Sequence, residues 1–173
     1  NSPCRRRGGQ WRVLLPGRNA ALKEGNGWDF AIWAEGWTPE FLAPDPTTLE
    51  AKMVPNSQFK IIVDPAAQLV TLRVPRSLFG DGDPTTWGYA AIVMGQDGYP
   101  ATGVWRIRDV EGVSAQWRFG GGADDKNHTR IIDMAWPEGD AATQEDMLGT
   151  YTGSSADVGT LGPDDFAQID LRS

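Results

Sequence analysis

The chain has 173 residues, 40% of them hydrophobic and 23% charged, so it can form one domain with a hydrophobic core and is neither disordered nor fibrous in composition. Its 21 glycines, 12 prolines and 8 tryptophans favour short strands and turns, while one cysteine and one histidine exclude an internal disulfide, a cysteine zinc cage and any site with two imidazoles. The net charge of −7 argues against nucleic acid as a partner, and no apolar run approaches the ~18 residues of a membrane span.

Residues 1–13 are predicted to form a basic N-terminal arm and the start of a first strand. Residues 1–23 hold six basic residues and no acidic residue, including three consecutive arginines at positions 5–7. Such a run could contact a negatively charged partner, but a solvated tail is the simpler interpretation. The first strand is predicted over residues 10–16. Because the chain has no starting methionine and no leader, we expect a processed or excised piece.

Alternating hydrophobicity predicts further strands along residues 14–150, the predicted binding module. They are expected at residues 28–36, 58–64, 68–74, 87–95, 104–108 and 113–119, and residues 131–136 form a further short apolar segment. The second and third of these make the clearest hairpin, with its Phe, Ile, Leu and Val side chains directed inward. Residues 87–95 are apolar on both faces and are predicted to lie in the middle of a sandwich. The proline-rich residues 38–48 are predicted to be a loop.

The remaining segments are predicted to be turns, one short helix and a tail. Residues 75–79 should form a helical turn and residues 80–86 a loop. A short helix is expected over residues 143–148, with Thr143 as its N-cap and a glycine at its end. Residues 151–173 are predicted to be an extended tail that covers the body or meets a partner. At least seven short strands separated by turns favour an all-β fold, an antiparallel β-sandwich with one short helix near the C-terminal end.

No motif indicates catalysis. The chain lacks a Gly-x-Ser-x-Gly elbow, and His128 is predicted to lie in a polar surface loop without a neighbouring Ser or Cys. Cys4 lies beside three arginines near the N-terminal end of the chain, where it is predicted to be incidental. The three glycines at positions 120–122 lack the Lys-Ser/Thr of a phosphate-binding loop. Among 23 acidic residues the sequence singles out no pair for glycoside hydrolysis, so we expect a protein that is not an enzyme.

Calcium is the cofactor that the sequence favours most. Acidic, glycine-rich turns offer the flexible oxygen ligands that this cation requires. The candidate ligands are Asp81, Asp83, Asp97, Asp124 and Asp125. None of these turns fits the EF-hand loop, and aspartate also stabilises turns without an ion. Separately, Asn127-His128-Thr129 fits an N-glycosylation acceptor, which would matter only for a chain exported from a glycosylating cell.

The tryptophans are the best indication of function. Trp28, Trp87 and Trp117 fall on inward-facing positions and are predicted to pack in the core. An exposed indole beside Asp and Arg side chains can stack on the apolar face of a sugar ring while its neighbours bind the hydroxyls. The candidate carbohydrate-binding residues are Trp33, Trp37, Trp105 and Arg106. Alternatively, Trp33 and Trp105 cover the second face of a two-sheet core.

Several short motifs, in order and spacing, resemble a known family. They are Leu15-Pro16-Gly17-Arg18-Asn19, Gly27-Trp28-Asp29-Phe30-Ala31, Glu35-Gly36-Trp37, Val74-Pro75-Arg76-Ser77-Leu78, Gly95-Gln96-Asp97-Gly98-Tyr99, and Trp117-Arg118-Phe119-Gly120-Gly121-Gly122 followed by Ile132-Asp133. Over about residues 14–148 the chain is similar to the C-terminal binding module of glucodextranase, which is also found in other archaeal and bacterial surface proteins. The resemblance implies a β-sandwich of jelly-roll or DOMON-like type, related to family-9 carbohydrate-binding modules and to DOMON domains, which bind sugar or haem.

The resemblance also implies a function and a location. It implies a secreted or cell-surface protein of a bacterium or archaeon that binds carbohydrate or a cell-surface polymer without catalysis. Two alternatives stay open, a structural subunit of an extracellular assembly such as a surface layer or filament, and a DOMON-type haem domain. Covalent c-type attachment is excluded because no Cys-x-x-Cys-His is present, and haem is disfavoured because Met94 is expected in the core and His128 in a polar loop. The candidate axial ligands are Met94, Met134, Met147 and His128.

The chain departs from the family at its beginning. Such modules usually carry further strands before the Leu-Pro-Gly-Arg-Asn motif, whereas only about a dozen residues precede Leu14 here. A sandwich without its first strands would expose a sheet edge and apolar surface. We therefore expect either a cleaved fragment or another protein chain that completes the sheet by strand addition or by covering an apolar face.

Overall fold

The computed structural model describes residues 11–36, 39–45, 47–48, 50–96, 107–137, 139 and 143–172, which are mostly β. The strands are β1 (Ala20–Leu22), β2 (Ala31–Trp33), β3 (Glu40–Pro44), β4 (Ala51–Met53), β5 (Lys60–Asp64), β6 (Leu69–Arg73), β7 (Ile92–Met94), β8 (Asp109–Val110), β9 (Arg118–Phe119), β10 (Ile131–Met134) and β11 (Ala167–Ile169). The α-helix α1 spans Gln144–Leu148, and single 3₁₀ turns span Arg76–Leu78, Pro84–Thr86, Val158–Thr160 and Pro163–Asp165.

The described strands pair in small sheets. Strands β2, β3 and β4 form an antiparallel sheet, β5 pairs with β6 as a hairpin, and β7 pairs with β10 across an irregular register. Two pairs, β1 with β11 and β8 with β9, are parallel. These parallel pairs correct the expectation of a purely antiparallel arrangement, because residues distant in sequence supply the neighbours of β1 and β8.

The main hydrophobic core lies where β1, β10, β11 and α1 meet. Its buried side chains are Ala20, Leu22, Ile131, Met134, Met147, Ala167 and Ile169. All three residues of β1 are buried, and its two alanines are completely inaccessible. The small alanine side chains let neighbouring elements approach this strand from both sides. Strand β1 is therefore an interior strand, although it has only three residues.

The segment after residue 150, for which the sequence predicts an extended tail, supplies part of this core. Strand β11 lies parallel to β1 with Ala20 opposite Ala167 and Leu22 opposite Ile169. Before β11, Phe166 is also buried. The segment has little hydrophobic periodicity because only a three-residue strand is buried, between turns that need Gly, Pro and Asp.

A buried arginine helps to close this region. Arg12 is only 5% exposed, and its Nε donates to the Leu22 carbonyl at 2.7 Å. Its Nη1 pairs with the Asp164 carboxylate at 2.6 Å, and its Nη2 donates to Gln168 Oε1. A buried charge needs a pairing group and hydrogen-bond acceptors of this kind. The first described residues and the last turn of the chain are therefore tied together.

Local signals in the sequence predict the helix and the hairpin correctly. Thr143 accepts from the Asp146 N–H, and the Asp146 carboxylate accepts from the Thr143 N–H, which is the expected capping box, and Gly149 ends α1. The turn predicted at residues 75–79 is confirmed as the 3₁₀ turn Arg76–Leu78. The β5–β6 hairpin is confirmed in full register, from Lys60 opposite Arg73 to Asp64 opposite Leu69.

Other predicted elements are wrong. The loop predicted at residues 38–48 contains β3, because Phe41 and Leu42 are buried and Pro44 occupies the end of the strand, where the lost N–H is tolerated. Strand 87–95 is reduced to β7, which pairs only with β10 among the described strands. Val93 is 53% exposed, so β7 is not a central strand.

Burial also differs from the predicted pattern. The inward-facing residues expected in the hairpin are exposed toward its tip, Val63 by 62% and Val70 by 59%. In segment 113–119 only β9 is a strand, and Trp117 is 47% exposed rather than buried in the core. Trp28 packs half-buried against the core, as expected.

The segment from Lys126 to Arg130 is held on one side by Arg18 and Asn19. The Asn19 amide donates to the carbonyls of Lys126 and His128, and Arg130 N–H donates to the Arg18 carbonyl. Asn19 has a φ of +49°, a left-handed conformation that asparagine tolerates better than most residues. The Leu-Pro-Gly-Arg-Asn motif therefore positions this segment.

Asn127 connects the same segment to the C-terminal part of the chain. It is fully buried, and its Nδ2 donates to the carbonyls of Thr152 at 3.0 Å and Asp165 at 2.7 Å. Its Oδ1 accepts from the Ser154 N–H at 2.8 Å. The amide of this N-glycosylation triplet is therefore inaccessible once the chain has folded.

We expect Asn127→Ala to lower the free energy of unfolding by about 2–4 kcal/mol, because the buried amide is removed and three backbone groups lose their partner. Urea denaturation followed by tryptophan fluorescence measures this change. Asn26→Ala is the matched control, since the contact that fixes Asn26 is its backbone N–H on the Lys23 carbonyl. Equal stability of the two variants would contradict the role assigned to Asn127.

Candidate functional site

An open cleft of about 480 Å³ lies beside the parallel strands β8 and β9. Its charged lining residues are Asp109, Glu111, Asp124, Asp125, Lys126 and Arg130. The glycine run after β9 folds back over this region, since Gly122 N–H donates to the Glu111 carbonyl at 3.0 Å. The Asp124 carboxylate accepts from the Gly112 N–H at 2.7 Å, which fixes the opposite loop.

Two carboxylates of the cleft are paired with basic side chains. Arg130 Nε donates to Asp109 at 2.9 Å, and Arg118 pairs with both Asp109 and Glu111. With Asp124 and Asp125 the lining holds more acidic than basic groups, and it presents donors and acceptors side by side. A hydroxyl group donates and accepts at once, so a polyhydroxylated ligand can use both kinds of group.

The described lining residues include no hydroxyl, thiol or imidazole nucleophile, since none of them is Ser, Thr, Cys or His. The histidine of the chain lies behind the glycine run instead, because a Cβ on Gly122 would collide with the His128 imidazole. The polar groups of the lining are therefore carboxylates and basic side chains, which can hydrogen-bond a ligand.

His128 is half-buried against Tyr151 rather than free in a surface loop. Its Nδ1 is hydrogen-bonded to the Tyr151 hydroxyl. Burial lowers the pKa of His128 below 6.5, against the opposing effect of the nearby Asp125 and Asp109 carboxylates. Burial also raises the pKa of Tyr151 above its usual value, with Asp125 adding to the shift. At neutral pH both groups are therefore uncharged, and one hydrogen bond joins them.

Trp33, a predicted carbohydrate platform, is half-buried at the end of β2. The Arg18 guanidinium lies over its ring, 4.3 Å from the centroid. Burial lowers the pKa of Arg18 to about 10, and the nearby Glu35 carboxylate opposes that change. Glu35 accepts from Gln96 Nε2 at 3.0 Å. Since arginine covers one face of the indole, a sugar would have to stack on the other face.

Several of the other predicted binding residues fall outside the part of the chain that the structure describes. Trp37, Trp105, Arg106 and Asp97 lie outside the described residues. Asp83 caps the 3₁₀ turn Pro84–Thr86 by accepting from the Thr85 N–H and hydroxyl, and this backbone bond is the main cause that lowers the pKa of Asp83. Asp81 is exposed in the preceding turn.

The aspartates do not form a metal cluster in the described part of the chain. No group of three or more His, Cys, Asp or Glu residues is arranged there to hold a metal ion. Asp124 and Asp125 belong to the cleft, where basic groups are already present. Calcium binding stays a prediction. Of the candidate haem ligands, Met134 and Met147 are buried in the hydrophobic core and Met94 packs against it.

The sequence analysis missed the ion pairs that organise the cleft. Asp109 and Glu111 belong to no predicted site. Their basic partners Arg118 and Arg130 are not predicted binding residues either. Arg118 does belong to the Trp-Arg-Phe-Gly-Gly-Gly motif that carries the family resemblance. That motif is the signal that could have indicated this region.

We expect the stability of the protein to fall as the pH drops from about 7.5 to about 5.5. In this range the unfolded chain takes up a proton on His128 below pH 6.5, whereas the folded chain takes it up only at a lower pH. Thermal unfolding of the wild type and of His128→Gln measures the effect. Because the chain has one histidine, the variant should show a flatter pH profile. Parallel profiles would contradict the lowered pKa.

Comparison with known proteins identifies the family. A family model described as the C-terminal, SLH-like binding module of glucodextranase matches residues 5–163. This match covers most of the chain and includes all the residues that line the cleft. No curated protein and no solved structure matches the chain. Within the described residues, no helix has the length and apolar character needed to cross a membrane. The chain therefore belongs to the family of C-terminal, SLH-like binding modules of glucodextranase.

Proposed function

We propose that the protein is a non-catalytic extracellular module that attaches to carbohydrate or to a cell-surface polymer. The observation that carries this proposal is the family match over residues 5–163. A binding module of a glucan-degrading enzyme has a polysaccharide as its natural ligand. We place this attachment outside the cell because such an enzyme encounters its polysaccharide there.

The charged cleft supports the proposal. Paired carboxylates and guanidinium groups at Asp109, Glu111, Arg118 and Arg130 can bind several hydroxyls of one sugar. The exposed indole of Trp117 directly precedes Arg118 in the chain. The tryptophans Trp33, Trp37 and Trp105, with Arg106, stay predicted contributors to glycan binding.

We further propose that the small sheets belong to a β-sandwich of jelly-roll or DOMON-like type whose second layer another chain completes. In the β5–β6 hairpin, Val63 lies opposite Val70, and Ile61 lies opposite Leu72. Cross-strand partners share a face, so this face is entirely apolar, and near the tip it is exposed. The same surface favours the second candidate function, a structural subunit of an extracellular assembly, in which contacts between chains bury this face.

Titration with polysaccharides tests the proposed function. We expect a saturable change in tryptophan fluorescence with α-glucans or cell-wall polysaccharide, and no product from any of them. A lack of response to every glycan, together with self-association in light scattering, would favour the structural role. Turnover of a glycan by the purified protein would contradict a non-catalytic module.

A pair of variants tests the cleft. Glu111→Gln keeps the size of the side chain but removes the charge that pairs with Arg118, so we expect glycan affinity to fall about threefold to tenfold. Glu24→Gln is the matched control, since Glu24 is exposed in the turn after β1. Isothermal titration calorimetry measures both affinities. If the two variants bind alike, the cleft is not the site.

A further inference from the structure

A series of aromatic rings leads from the interior to the surface. Phe41 is completely buried, and its ring lies 5.4 Å from that of Phe30. Phe30 contacts Phe79 at 5.3 Å, Phe79 contacts Trp87 at 5.2 Å, and Trp87 contacts Tyr89 at 6.4 Å between ring centroids. Tyr89 ends the series and is 52% exposed. The exposed ring is therefore supported from below by packed aromatic side chains.

Hydrogen bonds fix the position of Tyr89. Its hydroxyl donates to the Pro84 carbonyl at 2.6 Å. Its backbone N–H donates to the Arg172 carbonyl at 2.6 Å, and its own carbonyl accepts from the Arg172 N–H at 2.9 Å. Because the ring is already fixed, a ligand that stacks on it would immobilise few additional groups. This lowers the entropic cost of binding.

The loop of residues 80–86 is built against the same rings. A Cβ on Gly82 would lie 2.7 Å from Trp87 Cζ2, so glycine is needed for the loop to lie this close to the indole. Arg76 Nη2 donates to the Gly82 carbonyl at 3.2 Å, and Asp83 caps the following turn. Hydroxyl and carboxylate groups of the loop, and the guanidinium of Arg76 bonded to it, thus lie near an exposed aromatic ring.

We propose that Tyr89, supported by Trp87, is the platform of a subsite that stacks against one pyranose ring of a polysaccharide. The apolar face of a sugar matches the exposed phenol ring, and the polar loop at residues 80–86 offers both donors and acceptors to the hydroxyls. The carboxylates of Asp81 and Asp83 and the guanidinium of Arg76 give this loop groups of both charges, which suits a neutral sugar with many hydroxyls. This inference rests on the proposed carbohydrate-binding function and adds a contact outside the cleft.

Calorimetric titration of the full chain with dextran and with soluble starch tests the subsite. Tyr89→Ala removes the ring and should weaken binding by about tenfold or more. Tyr89→Phe keeps the ring and should stay within about threefold of the wild type, although it loses the hydrogen bond to Pro84. Val93→Ala is the control, because Val93 has the same degree of exposure, 53%, but no aromatic ring.

The outcomes separate this inference from the proposed function. Weakened binding by Tyr89→Ala alone, with a circular dichroism spectrum and melting temperature like those of Tyr89→Phe, supports the subsite. Wild-type affinity in Tyr89→Ala overturns the subsite and leaves the proposed function in place. Equal loss in Tyr89→Ala and Tyr89→Phe also overturns it, because stacking would then not be the cause. Failure of the wild type to bind either glucan or cell-wall polysaccharide overturns the proposed function itself.

Discussion

The parallel pairing of β1 with β11 is the constraint on which the other described contacts depend. It joins segments that are 147 positions apart in the chain, as the neighbouring ion pair between Lys23 and Asp170 also shows. The pairing requires that Ala20 and Ala167 be small, since both are completely buried. Arg12 reinforces it from the side, by contacting β1, the last 3₁₀ turn and β11 at once. Without this pairing the core would lose β11, one of the two strands against which α1 packs.

The geometry of the cleft depends on the same pairing of β1 with β11. Asn127 binds the backbone of Thr152, Ser154 and Asp165, all of which lie in the segment that leads to β11. Asn19, which immediately precedes β1, binds the same stretch from its other side. Lys126 and Arg130 flank that stretch and line the cleft. The positions of these binding groups thus depend on hydrogen bonds made by two buried asparagines.

The sequence predicts those elements whose signals are local. The capping box of Thr143 and Asp146 lies within one helical turn, and the β5–β6 hairpin is closed by a turn that both of its strands flank. Strand β3 escaped prediction because prolines suggest a loop, whereas the burial of Phe41, on which β3 depends, arises from distant aromatic rings. Strand β11 is not predicted because a strand of three residues is too short to show hydrophobic periodicity.

The candidate site was harder to predict for the same reason. Alternation predicts an interior position for Trp117, but 47% of this residue is exposed. The ion pairs of Asp109 with Arg118 and Arg130 join residues 9 and 21 positions apart, and no local pattern announces them. The family motifs point to this region more directly than hydrophobic periodicity does, because Arg118 belongs to the Trp-Arg-Phe-Gly-Gly-Gly motif.

The burial of Asn127 has a consequence for making the protein in eukaryotic secretory hosts. Oligosaccharyltransferase acts on nascent polypeptides as they enter the endoplasmic reticulum, and the Asn127-His128-Thr129 triplet is then fully accessible. A glycan added at that moment could not be accommodated where the carbonyls of Thr152 and Asp165 later close around the amide. Modified chains would be trapped short of the native state, so a bacterial cytoplasm is the safer place for synthesis.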